Sequence, residues 1–403
     1  MAHRSPSLGS WSNRGLTPLE STVSVDVNYD ELLERALKLA RKGTGFVEPN
    51  PRVGALVIKD GEVVGEGWHP EYRGPHAEVV ALEAAGESAR GADLLIPLEP
   101  CSMDGKTPAC TDAIIACGIQ RVLFAVPDPG PDNGGRARAI LQDAGIEVQQ
   151  LPASDNVTAS EVMIADFATY VNGSLPWVVL KWAMSADGKV ATVTGESRWI
   201  SSDSSRTEVH QERARADVVM VGRATVRTDD PELTVRLAET NGHVAVRAVL
   251  DSGLHLEPTS KLVESAREVP TWVFHCAGSD AEDRKAALEA LGVIVVRVAK
   301  GDGGRLDPAE ALRHLRAHGL HRVLVEGGPT VHGALLSGGL ADWARVYVCP
   351  LLLGGITAPG PVAGSGFPSL GDAVWLTDLH LRVVGENGSD FVVEGRIGNH
   401  RES

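Results

Sequence analysis

The sequence predicts an α/β protein built as two successive domains, and three observations carry that prediction. Short apolar runs suited to buried strands alternate with segments whose apolar residues fall at helical spacing, from Tyr29 almost to the end of the chain. The alternation is interrupted once, over residues 151–175, and restarts at Pro176. The length of 403 residues allows each unit a core of its own, at about 100–200 residues per domain. No internal repeat relates the two halves.

In the first half, Leu32, Leu33, Ala36, Leu37, Leu39 and Ala40 place a helix over 29–41, with Asp30 near its start. Glu48-Pro49-Asn50-Pro51 breaks it. Residues 53–58 read as a strand, Lys59-Asp60-Gly61 as its turn and 63–67 as the returning strand. A helix follows His76, then a strand over 94–98, a cysteine-bearing loop and a helix through Ala113. Residues 121–126 read as a strand, 137–143 as a helix and 146–150 as a strand.

The interruption contains one expected helix, about 161–170. Trp177-Val178-Val179-Leu180-Lys181 then begins the second domain as a strongly apolar strand. Further strands are expected at 218–221, 247–251, 271–274, 294–298 and 322–326, with helices at 211–216, 283–291, 308–318 and 330–337. Residues 347–352 and 391–396 look like closing strands.

Composition narrows the class. Forty-three per cent hydrophobic and twenty-three per cent charged residues are ordinary globular values. A formal charge of −15 argues against a surface that wraps nucleic acid, which needs a basic stripe. Five cysteines, odd in number and sparse, argue against a disulfide framework and for a reducing compartment. No apolar run approaches the roughly 20 residues of a membrane span, and no membrane partner is expected. Residues 1–24 carry Ser and Arg with no acid before Glu20 and lack an apolar segment, which excludes a secretory signal. A disordered tail is expected over 1–28.

The densest chemistry lies between Gly74 and Cys117. Pro75-His76-Ala77-Glu78 opens one helical run, and Leu98-Glu99-Pro100-Cys101 leads through a Gly- and Lys-bearing loop to Pro108-Ala109-Cys110, which opens another. One imidazole and two thiols are the ligand supply of a catalytic zinc, with the fourth tetrahedral position left for water. Helix starts turn unpaired N–H groups and positive dipole ends toward such a site, favouring the thiolates that bind the metal. Glu78, two residues beyond His76, is then the carboxylate that accepts the water proton and passes it to a leaving amine. The pattern is that of zinc deaminases with a longer loop, since eight residues rather than two separate Cys101 from Cys110.

The second half offers another site. Glu326-Gly327-Gly328-Pro329-Thr330 leaves a strand and opens a helix, where free N–H groups suit a phosphate. Gly222-Arg223-Ala224-Thr225 leaves another strand end, followed by Asp229-Asp230-Pro231 and Arg236. Ligands of open α/β sheets bind at such carboxyl ends. No G-x-G-x-x-G follows a strand, so a nicotinamide site here is of another design.

Over residues 29–397 these motifs resemble the bifunctional riboflavin-biosynthesis deaminase–reductase family. The N-terminal match consists of Asn50-Pro51 with Val53-Gly54, Pro75-His76-Ala77-Glu78, Leu98-Glu99-Pro100-Cys101-Ser102 and Gly105-Lys106-Thr107-Pro108 with Cys110. The C-terminal match consists of Lys181, Asp187-Gly188-Lys189, Thr194-Gly195-Glu196-Ser197 with Trp199-Ile200, Thr225, Asp229-Asp230-Pro231 with Leu233-Thr234, and Glu326-Gly327-Gly328.

The resemblance implies a cytidine-deaminase-like α/β/α sandwich over 29–150, a linker with a short helix over 151–175 and a dihydrofolate-reductase-like α/β domain over 176–398, with a tail at 399–403. It implies zinc-dependent hydrolytic deamination of 2,5-diamino-6-(5-phosphoribosylamino)pyrimidin-4-one, then reduction of the ribosyl group to ribityl by NADPH. By similarity His76, Cys101 and Cys110 hold Zn²⁺, Glu78 transfers protons, Asn50 bonds the pyrimidine and Lys106 meets the phosphate. Ser197, Arg213, Leu233, Arg236 and Glu326 would contact the second substrate, with the two arginines able to clamp a phosphate in bidentate fashion. Ala183, Trp199, Thr225, Asp229 and the segment Gly328, Pro329, Thr330, Val331, His332, Gly333 and Ala334 would contact NADP. A cytoplasmic homo-oligomer is expected.

The chain departs from the family pattern at Met103, where His is usual and lies on the substrate side. Pro97, Ala109 and Asp128-Pro129-Gly130-Pro131 also depart. Two other readings therefore stand beside the first. One is a paralogue acting on another aminopyrimidine or pterin-like compound; the other is a reductase whose zinc site is structural.

Overall fold

The structure is a computed structural model that describes residues 27–105, 107–237, 242–278, 281–385 and 389–399. Most of the expected tail at 1–28, and residues 400–403, lie outside the described residues, as does Lys106.

The first half is a five-stranded sheet in the order β2-β1-β3-β4-β5. Helix α1 (Tyr29–Ala40) starts where the Asn28 side chain accepts the N–H of Glu31. Strands β1 (Gly54–Lys59) and β2 (Glu62–Trp68) form a hairpin whose turn residues, Asp60 and Gly61, both have positive φ (53° and 85°). Helix α2 (Ala77–Ala85) follows, then β3 (Asp93–Leu98), α3 (Cys110–Cys117), β4 (Arg121–Val126), α4 (Arg136–Asp143) and β5 (Glu147–Gln150). Strands β3, β4 and β5 run parallel, while β1 is antiparallel to both β2 and β3.

Alternation along the strands sorts the core into two layers. Val57, Leu94, Ile96 and Val122 pack with Ala81, Leu82 and Ile114 of α2 and α3. Leu56, Ile58, Leu95 and Leu123 pack with Leu33, Leu37 and Ala40 of α1 on the opposite face. Gly67 lets α2 lie directly on β2: a Cβ there would stand 2.5 Å from the Ala81 nitrogen. This close contact holds the helix that carries Glu78.

Between the halves the expected helix at 161–170 is two helices, α5 (Asp155–Met163) and α6 (Ala165–Asn172), broken at Ile164. Ser154 caps α5 and its hydroxyl donates to Asp30 at 2.5 Å, tying the connection back onto α1.

The second half is a nine-stranded sheet in the order β10-β9-β8-β7-β11-β6-β12-β14-β13. Its elements are β6 (Trp177–Ser185), α7 (Asp203–Arg215), β7 (Val218–Gly222), α8 (Arg223–Asp229), β8 (Val246–Leu250), α9 (Lys261–Glu264), β9 (Thr271–His275), α10 (Glu282–Ala290), β10 (Ile294–Arg297), α11 (Pro308–Ala317), β11 (Arg322–Val325), α12 (Pro329–Ser337), β12 (Trp343–Cys349), β13 (Val374–Val384) and β14 (Asp390–Asn399). Strands β6 to β12 pair in parallel, and β14 and β13 close the sheet in antiparallel fashion.

Three differences from the sequence reading have physical causes. Helix α7 begins eight residues before the expected 211, capped by Ser202, because its buried face carries Glu212 and Arg215 as well as Val209. An apolar-period reading sees little of such a helix. Residues 223–229, where the sequence reading names no element, form a short helix whose buried apolar residue, Val226, leaves no apolar period to read. Strand β13 is absent from the expected elements: it lies at the sheet edge with one face exposed, so it carries no buried apolar run.

Candidate functional site

Two helix starts and one loop bring three sulfur and nitrogen ligands together. His76 is the residue immediately before α2, in extended conformation, and Cys110 is the first residue of α3. Cys101 sits in the loop after β3, and its sulfur accepts the N–H of Cys110 at 3.2 Å. His76 Nδ1 is 3.3 Å from Cys110 Sγ and 3.5 Å from Cys101 Sγ. The three donor atoms lie within 4.8 Å of one another, the spacing that a single tetrahedral ion requires.

The electrostatics suit a dication. The Cys101 thiol is held well below its usual range by hydrogen bonds from Cys110 and His76, while Cys110 is pushed up by the same sulfur and by burial. The two sulfurs compete for one proton, and a doubly charged ion relieves that competition by favouring both thiolates.

Glu78, 4% exposed, lies in the first turn of α2 beside the triad. Burial raises its carboxyl above the ordinary value, partly offset by His76. A buried carboxyl beside the triad is placed to accept a proton and return it.

The triad opens into a cavity of about 750 Å³ whose lining includes Asn50, His69, Glu78, Met103 and Thr107. His69 Nδ1 is 2.9 Å from the Pro75 carbonyl, an acceptor only, so that nitrogen carries the ring proton. The other nitrogen, Nε2, then accepts from Asn50 Nδ2 at 3.2 Å, which fixes the orientation of the Asn50 amide. Burial lowers the His69 pKa, in keeping with a neutral ring.

Sequence reasoning passed over His69. Its signal was a histidine at the end of β2, seven residues before His76. Met103 is 41% exposed and lines the cavity, so the departure noted in the sequence does face the site.

The loop carrying Cys101 is held from below. The Glu99 carboxylate is buried and accepts the N–H groups of Asp128 (3.2 Å), Gly135 (2.9 Å) and Arg138 (3.3 Å). Asn133 Oδ1 accepts from the Ser102 nitrogen at 2.8 Å and hydroxyl at 2.6 Å. The far wall comes from elsewhere in the chain: Phe167 and Tyr170 of α6, with Arg316 and His321 of the second half.

A second group of expected residues gathers at the carboxyl ends of β7 and β11. These strands pair, and Gly222 N donates to the Gly327 carbonyl at 3.0 Å. Gly327 has φ 107°, and a Cβ on Gly328 would stand 3.2 Å from Thr225 Oγ1, so the turn passes close over α8.

Arg213 Nε and Nη2 donate to the two Glu326 oxygens at 2.5 and 2.9 Å, and Nη1 donates to the Thr234 carbonyl at 2.9 Å. The fork expected to clamp a phosphate is therefore spent on Glu326. Burial would raise the Glu326 carboxyl, but Arg213 outweighs it and holds the pKa at about 2. Lys181 on β6 is half-buried beside Glu326, and desolvation lowers its pKa.

The remaining expected residues differ in access. Trp199 is 69% exposed, with the Arg206 guanidinium 4.5 Å from its ring centroid. Ser197 Oγ donates to Asp229 at 3.4 Å. Arg236 is exposed and pairs with Glu232 at 3.0 Å. Leu233 is buried in the core with Val226 and Val249, so its side chain faces away from solvent. Ala183 is partly buried on β6, and the Gly328–Ala334 segment forms the start of α12. There His332 Nδ1 meets the Pro361 carbonyl at 3.0 Å. Lys106 lies outside the described residues, between Gly105 and Thr107 of the cavity lining.

Comparison with known proteins covers both halves. Residues 27–126 match the family described as cytidine and deoxycytidylate deaminase zinc-binding region, and residues 176–389 match the RibD C-terminal domain. The riboflavin biosynthesis protein RibD of Bacillus amyloliquefaciens is 39% identical, over 89% of this chain and 96% of that protein. That of Escherichia coli K12 is 37% identical, over 88% and 96%. Among solved structures, Acinetobacter baumannii RibD superposes with a TM-score of 0.72 at 31% identity, covering 93% of this chain and all of that one. A Thermotoga maritima diaminohydroxyphosphoribosylaminopyrimidine deaminase/5-amino-6-(5-phosphoribosylamino)uracil reductase gives 0.70 at 32% identity, covering 92% and 99%.

Proposed function

The chain belongs to the RibD family of bifunctional riboflavin-biosynthesis deaminase–reductases, and from that premise we propose the substrates and residue roles of its two reactions. The first is hydrolytic removal of the 2-amino group of 2,5-diamino-6-(5-phosphoribosylamino)pyrimidin-4-one, releasing ammonia. The second is reduction of the ribosyl group of the deaminated product by hydride from NADPH. The observation that carries the first is the His76–Cys101–Cys110 triad beside buried Glu78 at the floor of a cavity.

His76, Cys101 and Cys110 would hold Zn²⁺, which when bound supplies a Lewis acid and an acidified water. Glu78 takes a proton from the attacking water and returns it to the departing amine, the task suited to a buried carboxyl of raised pKa. Asn50, its amide oriented by His69, hydrogen-bonds the pyrimidine edge. Lys106, on the loop between Cys101 and Cys110, meets the substrate phosphate.

In the reductase, hydride transfer needs no protein nucleophile, so the residues bind and orient. Glu326, kept ionised by Arg213, offers carboxylate oxygens to sugar hydroxyls, while Ser197, Leu233 and Arg236 complete the substrate side. Arg213 contributes through that pairing rather than as a free phosphate clamp. Ala183, Trp199, Thr225, Asp229 and the Gly328–Ala334 segment take the cofactor. The domain division follows the same reading: deaminase over 29–150, linker over 151–175, reductase over 176–398.

No helix among the described residues is long and apolar enough to cross a membrane. Few cysteines and a formal charge of −15 support the reading of a cytoplasmic enzyme of small-molecule substrates with no nucleic-acid partner. Met103 in the cavity wall favours a second reading, in which the pyrimidine accepted differs from the family's.

Anaerobic incubation of zinc-loaded protein with the diaminopyrimidine phosphate tests the scheme. Ammonia release followed by NADPH consumption is expected. Ammonia from another aminopyrimidine alone would favour the second reading, and NADPH oxidation on supplied deaminated product, with no ammonia from any substrate, would leave a reductase with a structural metal site.

A further inference from the structure

Asn50 stands in the segment between α1 and β1, and both of its flanks are tied to residues far from the deaminase sheet. Two positions before it, the Glu48 carboxylate is shared: Oε2 accepts the Gly45 N–H at 3.0 Å, and Oε1 accepts from Arg215 Nε at 3.1 Å. Two positions after it, Arg52 donates to the Met163 carbonyl at 2.6 Å and pairs with Asp166 at 3.4 Å. Asp166 in turn pairs with Arg215 at 3.4 Å. Arg215 is 6% exposed, and its third nitrogen meets Glu212 at 3.0 Å. Its guanidinium therefore joins an acid of the deaminase loop, an acid of the linker helix α6 and an acid of its own helix α7.

We propose that Arg215, contributed by the reductase half, is a positioning residue for deamination, holding the loop that presents Asn50 to the cavity. The inference rests on the deaminase reading of that cavity and adds to it that the pyrimidine subsite is completed by the other half of the chain. Loops are ordinarily the mobile part of a scaffold, and a displacement of about 1 Å at a substrate-orienting group can cost up to about 100-fold in rate. A buried guanidinium with three acid partners fixes the loop by charge and direction at once, and removing Arg215 takes the guanidinium from Glu48 while Arg52 and Arg322 still meet Asp166. Because α7 also carries Arg213, one helix anchors a loop of the first site and the Glu326 carboxylate of the second.

The test compares Glu48→Gln, Arg215→Met and Arg215→Lys in the full-length zinc-loaded protein. Four quantities are read: KM and kcat for ammonia release, bound zinc, NADPH-dependent turnover of supplied deaminated product, and amide exchange over residues 45–51. Glu48→Gln and Arg215→Met are expected to raise KM for the diaminopyrimidine about tenfold, with kcat, zinc and reductase turnover retained and exchange over 45–51 accelerated. Arg215→Lys should recover most of the KM. An unchanged KM in Glu48→Gln, or a parallel fall of zinc, kcat and reductase turnover, overturns the inference. If the wild-type protein releases no ammonia, the deaminase reading itself fails, and unchanged exchange over 45–51 in Glu48→Gln then overturns the anchoring as well.

Discussion

Arg213 and Glu326 form a two-pronged ion pair across the second site, with both guanidinium contacts at 2.9 Å or less and both side chains about nine-tenths buried. Neither residue is spare. Glu326→Gln would leave Arg213 buried with half its partners gone, a loss of about 3 kcal/mol of stability together with the reductase reaction. Ammonia release should survive, since Glu326 touches nothing in the first cavity. The acid dependence follows from the same pair. A carboxyl with its folded pKa held at about 2 stabilises the native state above its unfolded value near 4.3 and loses that contribution as pH falls toward 2. Wild-type thermal stability should therefore drop more steeply than that of Glu326→Gln between about pH 4 and pH 2.

Glu78→Gln separates a catalytic zinc site from a structural one. The substitution keeps size and hydrogen bonding but removes the proton acceptor, and it touches none of the three ligands. Bound zinc should stay at one per chain by elemental analysis, while ammonia release falls by about 100-fold or more. Retained zinc with undiminished ammonia release would assign the proton transfer to another group.

The local parts of both sites were legible in the sequence, and the long-range parts were not. His76, Cys101 and Cys110 stood out because two of them stand at helix starts, the third follows a Pro at a strand end, and their chemistry is set by residue type; the triad closes as that pattern implies. Strands such as Val218–Gly222 were readable because both faces are buried and the run is continuously apolar. The knot of Glu48, Arg52, Asp166, Glu212, Arg215 and Arg322 was invisible, because its members come from scattered segments and each reads as an ordinary surface charge. The same cause hid most of α7. His69 was missed for a different reason: its partners, Asn50 and the Pro75 carbonyl, meet it only once β2 folds back beside the breaker that ends α1.

Metal removal should divide the two activities. The triad is confined to the first half, and the residues proposed for the reductase lie in the second half, none of them in the triad's ligand set. Chelation at neutral pH is expected to abolish ammonia release while leaving NADPH-dependent reduction of supplied deaminated product within about twofold. Restored zinc should bring ammonia release back. Cys110→Ser should behave as the chelated protein does, and its deaminase domain should melt earlier, since metal binding energy is also folding energy.

The edge of the second sheet predicts the state of assembly. Strand β13 spans eleven residues, and its Leu379, Leu381 and Val383 are 51%, 72% and 54% exposed on one side of the pleat. Phe391 on the neighbouring β14 adds to the same exposed apolar character. A long edge strand with exposed leucines is the kind of surface that proteins blunt with charge or cover with a partner. A second copy of the chain would bury those side chains and use the edge. Leu381→Lys places a charge in the middle of that row without touching either site, so light scattering should give an oligomeric mass for the wild-type protein and a smaller one for the variant. If Leu381→Lys leaves the mass in solution unchanged, this edge does not carry self-association.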